Sequence, residues 1–486
     1  MVAPQQESQT LSRSPQKRSK RLHHQQPHHL RSYVSSNPHL PDDVLDIIFS
    51  FLPIKHEVQI GVLSKRFRNS WLSNRKLFFD REFGRSHTQG ELIEIINRVF
   101  DSHVGSKIQT LRLYFDPTGV EHMFEKWIKI CIEKGIEELD LDFYQRRDPF
   151  RLSSEYIDVE SIRILKLVHC SVVFPPKLKG LGFLTTLILR RVDLTAEMLE
   201  TLFCHCLNLE TLDLWYCYEI DHFEVFARNL KKFKALKIGH CLEIERIDID
   251  SPTLRSIYYT GNIVDFRFYD AFQLDEVLLY FIPPKSFIQA YVAENLVSDL
   301  SHVNVLTTSS PFLEGLTARI RDGTFRAMPF CFWNLKEFHL YMEGASYCNL
   351  FDIASFLKNC PCLERLFIDL NDFSFECGLY WELHQKEIID DGFYFSFTRL
   401  KIIKIQGFKF QRLELELVKF LLEKTMFLEA LVLVTPKNGR ARIKAPEAQL
   451  YNRLFCSWRA SPRARILYEY PNDRSLVHPK QSKSWV

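Results

Sequence analysis

Glycine is scarce, 17 of 486 residues, which excludes collagen-like and linker-dominated chains. No run of about 18 apolar residues occurs, so no segment reads as a membrane-spanning helix. Met1–Gln9 is polar and has no apolar stretch, so no secretory signal is expected there, and no Asn-x-Ser/Thr acceptor is present. The 12 cysteines are therefore expected as reduced thiols, in the nucleus and/or cytoplasm. Catalytic phrases are missing too: there is no G-x-S-x-G, no G-x-x-x-x-G-K-S/T and no H-E-x-x-H. Gly180-Leu181-Gly182 opens like a dinucleotide fingerprint but lacks the third glycine. Cys204/Cys206 and Cys360/Cys362 are C-x-C pairs without the C-x-x-C spacing of metal or redox motifs. The reading is a non-catalytic chain with no metal and no cofactor.

What is present is ordinary for a folded protein, 46% hydrophobic and 25% charged residues, apart from an excess of phenylalanine at 40. That excess calls for a large interior or an interaction surface. The net charge of +3 is unevenly spread. Residues 1–39 carry +5 and residues 436–486 carry +8, which leaves the body, 40–435, at −10. An acidic body argues against nucleic acid lying along it. The basic C-terminal stretch keeps a phosphate- or RNA-binding alternative open, marked by a steep salt dependence.

Residues 1–36 are rich in Gln, Ser, His, Pro and Arg, and are expected to be a disordered basic tail. Within them Lys17, Arg18, Lys20 and Arg21 form a candidate nuclear-import cluster, or simply part of a solvated tail. At Leu40 the character changes. Leu40-Pro41-Asp42-Asp43 has proline early in a first turn and carboxylates at the positive end of a helix dipole. The helix body follows, Val44-Leu45-Asp46-Ile47-Ile48-Phe49-Ser50-Phe51-Leu52, and Pro53 stops it. Its apolar residues wrap the whole circumference, in rows 44/48/52, 45/49 and 47/51. A surface helix shows one apolar stripe. Each large side chain left wet forgoes about 1.5–3 kcal/mol, so a second surface is wanted. A helix over 56–62 and a basic helical segment after Ser64, Lys65–Trp71, complete a three-helix unit too small to be comfortable alone.

After residue 100 the chain repeats the pattern L-x-x-L-x-L. It occurs at Ile108/Leu111/Leu113, Ile136/Leu139/Leu141, Ile162/Leu165/Leu167 and Leu184/Leu187/Leu189. It continues at Leu209/Leu212/Leu214, Phe233/Leu236/Ile238, Leu254/Ile257/Tyr259 and Leu274/Val277/Leu279. First anchors lie 20 to 28 residues apart, the period of leucine-rich repeats with one strand each. Cys170, Cys217 and Cys241 fall five residues after a middle anchor, where such repeats pack a small polar side chain in the turn. The period breaks between about 280 and 330. It resumes at Leu335/Phe338/Leu340, Leu363/Leu366/Ile368, Leu400/Ile403/Ile405 and Leu428/Leu431/Leu433, with helices at Ile353–Lys358 and Leu413–Lys424 and a long loop over 371–394. A capping element is needed at the open end, after residue 400.

The phrase Leu40-Pro41-Asp42-Asp43-Val44-Leu45, then Phe49–Pro53, Val62-Leu63-Ser64-Lys65-Arg66-Phe67-Arg68 and Trp71, resembles the F-box of plant F-box/leucine-rich-repeat proteins. Phe67 stands where that family often has tryptophan. Ser251-Pro252-Thr253-Leu254, Leu357–Glu364, and Leu400-Lys401 with Leu415–Leu422 and Arg459–Ala464 are similar to its later repeats and FBD region. The implied fold is α/β: a small all-α three-helix F-box followed by a leucine-rich-repeat solenoid, a curved parallel sheet with outer helices or irregular segments. The implied divisions are an F-box at 37–80, repeats at 90–330, an irregular FBD-like region at 331–470 and a tail at 471–486.

The resemblance implies a substrate-recognition subunit of an SCF-type ubiquitin ligase, with a Skp-type adaptor linking it to a cullin and a RING protein. A non-degradative scaffold is the alternative. Leu40, Pro41, Val44, Leu45, Ile48, Phe49, Leu52, Val62 and Trp71 are the residues expected to make or support the adaptor contact. An unknown protein substrate is expected on the concave strand face. Its candidate residues are Arg112, Asp140, Asp142, Lys166, Arg190, Asp213, Lys237 and Asp248, which flank the inward anchors in a period-2 strand. Their mixed signs fit a solvated sheet equally well.

Overall fold

The computed structural model describes residues 41–49, 52, 54–63, 67–144, 147–175, 178–282, 296–317, 331–342, 348–371, 373–375, 395–436, 445–471, 475 and 477–481. The chain divides at Leu45/Asp46. Of the first unit, Pro41–Leu45 is described, the opening of helix α1 (Asp42–Phe49). Helix α2 spans Ile54–Leu63, and Ser70–Ser73 is a single 3-10 turn. The sequence suggests a third helix over 65–71. Phe67–Asn69 is instead a turn, and Ser64–Arg66 lies outside the described residues, as does the import candidate at 17–21.

In chain order the strands are β1 (Lys76–Phe79), β2 (Thr110–Tyr114), β3 (Glu138–Asp142), β4 (Phe150–Leu152), β5 (Ile164–Val168), β6 (Cys170–Val172), β7 (Thr186–Arg190), β8 (Thr211–Trp215), β9 (His222–Phe226) and β10 (Ala235–Gly239). They continue as β11 (Arg246–Asp250), β12 (Ser256–Gly261), β13 (Asp265–Asp270), β14 (Glu276–Phe281), β15 (Val305–Ser309), β16 (Glu337–Tyr341), β17 (Arg365–Asp369), β18 (Ile402–Gln406), β19 (Ala430–Val434) and β20 (Arg465–Glu469). Fifteen of them make one sheet in the order β1-β2-β3-β5-β7-β8-β10-β12-β14-β15-β16-β17-β18-β19-β20. Its neighbours pair in parallel, as strands joined by crossovers must. The middle and last anchors of each repeat are strand positions two and four, and they point to one side with period two. Leu111, Leu139, Leu165, Leu187, Leu212 and Leu236 are buried there in one continuous core. The phenylalanine excess fills it: Phe79, Phe115, Phe124, Phe223, Phe233, Phe312, Phe332 and Phe338 are among the largest fully buried side chains.

Repeat length limits what crosses back outside the sheet. A five-residue strand is about 17 Å long, which a helix matches in about 11 residues and another strand in five. Two of the longer repeats hold helices, α3 (Glu121–Glu133) between β2 and β3 and α4 (Ala196–His205) between β7 and β8, whereas the one between β3 and β5 holds β4. The shorter repeats after β8, β10 and β12 hold β9, β11 and β13, which form a second parallel sheet in the order β13-β11-β9. Outer strands thus stand in these repeats beside the expected helices of the others.

The period also does not break after 280, because β15 joins β14 to β16 within the sheet. Its third anchor is Thr308, buried like a leucine because its hydroxyl donates to Leu279 O at 2.9 Å. The sheet gains β1 at the front and β20 at the back. β20 is an edge strand carrying Arg465 and Glu469, the charged edge that closes such a sheet against further pairing. Among the described residues no helix is long and apolar enough to cross a membrane.

Candidate protein-interaction surfaces

Helices α1 and α2 sort their apolar residues into a buried row and open ones. Leu45 and Phe49, one turn apart, are buried, and the Phe49 ring meets Phe67 edge-on at 5.4 Å. Gly61 lets the 67–68 turn approach α2, since a Cβ there would sit 3.1 Å from Phe67 O. Ile47 (59% exposed), Ile48, Val58 and Val62 (82% exposed) face outward, and Val58 and Val62 share one face of α2. Of the nine residues singled out from the sequence, Ile48 and Val62 are open, Pro41 is exposed, and Val44 and Leu52 are half-buried. Leu45 and Phe49 are internal, Trp71 packs against the sheet core, and Leu40 lies outside the described residues. Ile47 and Val58 were not singled out. The apolar row 47/51 and the apolar alternation 58/60/62 were the signals for them.

On the sheet face opposite the core, the strand midpoints form one straight row by register. It runs Phe78, Arg112, Asp140, Lys166, Ile188, Asp213, Lys237, Tyr258. Five of the eight candidates sit in it, and neighbouring charges alternate in sign. Lys166 Nζ donates to Asp140 Oδ2 at 2.7 Å, and Arg112 pairs with Glu138 at 3.0 Å in the adjacent row. Burial holds the Asp140 and Asp213 carboxyls above the usual carboxylate range despite the cations beside them.

Asp142 and Arg190 lie two residues further along their strands. Asp142 is engaged within the chain, accepting from Arg81 Nε at 2.6 Å and from the Tyr144 N–H at 3.1 Å. Arg190 stands over Trp215 at 6.0 Å. Asp248 is a correction. It lies on β11, in the second sheet, and is buried under His222, Arg246 and Tyr269. His222, Glu224 and Asp248 lie close enough to share a cation, but Arg246 already supplies a positive charge to that carboxylate. The period-2 argument fails for Asp248 because the outer segment of its repeat is itself a strand.

A rim at the strand ends was not anticipated. His169, Arg191, Tyr216 and His240 are non-glycine residues at φ 57, 53, 55 and 53°. Arg191 lies between the rings of Tyr144 (5.2 Å) and Tyr216 (5.0 Å), and Tyr216 stacks on His240 at 5.0 Å. The signal was the residue preceding each turn cysteine: His169-Cys170, Tyr216-Cys217, His240-Cys241. Those cysteines are buried, Cys170 at the start of β6 and the other two just past their strands, and burial pushes the Cys170 thiol up to about 12. Gly180 is likewise structural: its N–H and that of Leu181 donate to the Asp158 carboxylate, which fills the cradle a phosphate would need.

The F-box family model matches residues 38–79, and the model described as At1g61320/AtMIF1, LRR domain, matches residues 99–454. The chain belongs to the FBD-associated F-box/leucine-rich-repeat family. Two Arabidopsis thaliana relatives named as FBD-associated F-box proteins, At1g61330 and At1g61320, are each 34% identical to it. They align over 84% of this chain and over 93% and 90% of their own lengths. A third Arabidopsis thaliana relative, the F-box/FBD/LRR-repeat protein At1g13570, is 23% identical over 88% of this chain and 97% of its own. Family membership gives the two surfaces their names: the open helix face belongs to the F-box, and the charged row to the repeats. It makes the chain a protein-interaction module.

Proposed function

We propose that this F-box/leucine-rich-repeat protein is the substrate-recognition subunit of an SCF-type ubiquitin ligase. Its F-box docks on a Skp-type adaptor, which joins it to a cullin and a RING protein, and its repeats hold a protein substrate. The chain does no chemistry itself; it raises the local concentration of a substrate lysine near the charged conjugating enzyme. The observation that supports this reading is that Ile47 and Ile48 on α1 and Val58 and Val62 on α2 are exposed, while Leu45 and Phe49 on α1 are buried. Exposed apolar side chains gathered on successive helices mark a protein-docking site.

The test is capture of a Skp-type adaptor by the full chain, with Ile47→Asp/Ile48→Asp as the comparison. Tight capture by the wild type, lost in the variant with the circular dichroism spectrum unchanged, is the expected result. A folded wild type that fails to capture the adaptor overturns the reading. The nucleus and cytoplasm, where such ligases meet their substrates, are the compartments proposed with it.

A further inference from the structure

The outward face of the main sheet changes character along its length. From Tyr258 the midpoint row continues as Leu278, Thr307, His339, Phe367, Lys404 and Val432. These positions face away from the core, as Arg112 and Lys166 do, yet they are buried. Leu278 is 1% exposed and Lys404 3%. A lysine so deep needs several partners. Lys404 Nζ donates to Glu469 Oε2 at 3.2 Å, Ser475 Oγ at 2.6 Å and the Val477 carbonyl at 2.9 Å. Two of the three come from the C-terminal segment.

That segment crosses the face strand by strand, back toward the first half of the sheet. Ser475 and Val477 sit at Lys404 on β18. The His478 carbonyl accepts from Arg365 on β17. The Lys480 N–H donates to Glu337 Oε1 on β16 at 2.5 Å. The Lys480 ammonium pairs with Glu276 on β14, 4.0 Å from Asp275 Oδ2. Gln481 is buried beside the Tyr258 hydroxyl on β12. A cleft of about 360 Å³ opens around Lys480, lined among others by Asp275, Asn304, Glu337, Glu364 and Arg365. The recognition is therefore of an extended main chain, through two carbonyls and one N–H, and of one lysine set against three carboxylates. Main-chain bonds tolerate many sequences, and the side-chain pocket selects.

We infer that the outward face of β12–β18 is a binding cleft for an extended, lysine-bearing segment of a protein partner, and that Ser475 and residues 477–481 are its resident occupant. The acidic body of the chain favours such a partner at longer range. The inference deepens the reading that the repeats bind a protein and rests on that part of it alone. An incoming segment has to displace the tethered one, so its apparent affinity falls by the fraction of chains whose cleft is open.

The test uses the full chain and a fluorescent synthetic peptide with the sequence of residues 475–481, read by anisotropy. Lys480→Glu places a like charge against Glu276 and Glu337 and should release the tail, seen as faster hydrogen exchange over 475–481. This variant is expected to bind the peptide at least tenfold more tightly than the wild-type chain. Adding Glu276→Gln/Glu337→Gln should abolish the gain, and a peptide with glutamate at the lysine position should bind neither chain. Equal peptide affinity for both chains overturns the inference, as does unchanged exchange over 475–481 in Lys480→Glu. Lys480→Ala, a milder change at a half-exposed side chain, should give the same order of effects. Adaptor capture is measured on the same samples. Peptide binding without adaptor capture sinks the ligase reading and leaves the cleft standing; adaptor capture with equal peptide affinity does the reverse.

Discussion

The F-box helices and the second half of the sheet face the same problem and meet it differently. Both carry large side chains on faces their local fold does not bury. On α1 and α2, Ile47, Ile48, Val58 and Val62 stay in water. On β14–β18, Leu278, Phe367 and Lys404 are covered, and the chain's own C-terminal segment bonds four of those five strands. The difference teaches how to read exposure. An apolar face left open asks for another chain, whereas a face filled by a tethered polar segment shows what kind of chain fits it.

The largest effect that sharpens this contrast is a control in the shared interior. Phe338→Ala, on the core side of β16, should remove about 3–5 kcal/mol of stability, measured by urea unfolding. A loss below about 1 kcal/mol would mean the sheet does not pack as described. Next comes Ile47→Asp/Ile48→Asp. It should weaken adaptor binding by at least about a hundredfold, two side chains at about 1.5–3 kcal/mol each, with the unfolding midpoint unmoved. If stability falls with it, those residues are interior and the contrast collapses.

Lys404→Met removes the ammonium that holds Ser475, Val477 and Glu469 together. It should cost about 1–3 kcal/mol and speed hydrogen exchange over 475–481, while exchange in α1 and α2 stays as it was. Slow exchange in that segment would show that it is held without the lysine. The smallest effect belongs to the open half of the face. Burial raises the Asp213 carboxyl, so the native chain keeps that proton to higher pH than the unfolded chain does. Its ionisation therefore lowers stability as pH rises through the folded value. Asp213→Asn should stabilise by about 1 kcal/mol at pH 8, and the gain should fade as pH falls through about 4, where the unfolded aspartate takes up its proton. A gain that appears only in acid would reverse the sign and show that Lys237 and Arg190 outweigh burial.

Much of the fold was legible because leucine-rich repeats write their geometry into spacing. The anchors Leu212 and Leu214 are strand positions two and four, and their period marks both the strand and its buried side. Legibility failed where a polar residue took a buried role or where the partner was distant in sequence. Thr308 hid β15, since its burial depends on a hydroxyl bond to Leu279 that no apolar pattern reports. Asp248 was misplaced because the alternation of β11 is that of a strand in a different sheet. On the F-box, the helical rows were readable, but which row is interior depended on Phe67 reaching Phe49. The cleft occupied by Ser475 and residues 477–481 was not readable at all. Lys480 meets Glu337 across 143 positions of sequence, and one lysine in a basic tail looks like any other.

By itself the sequence determined the repeat, the inward anchors and the F-box phrase, because each is a local spacing that periodicity imposes on a strand or helix. Only the tertiary structure decided which outward faces remain open and which are filled. Exposure belongs to pairs of surfaces, and the second member of each pair lies far along the chain or outside it.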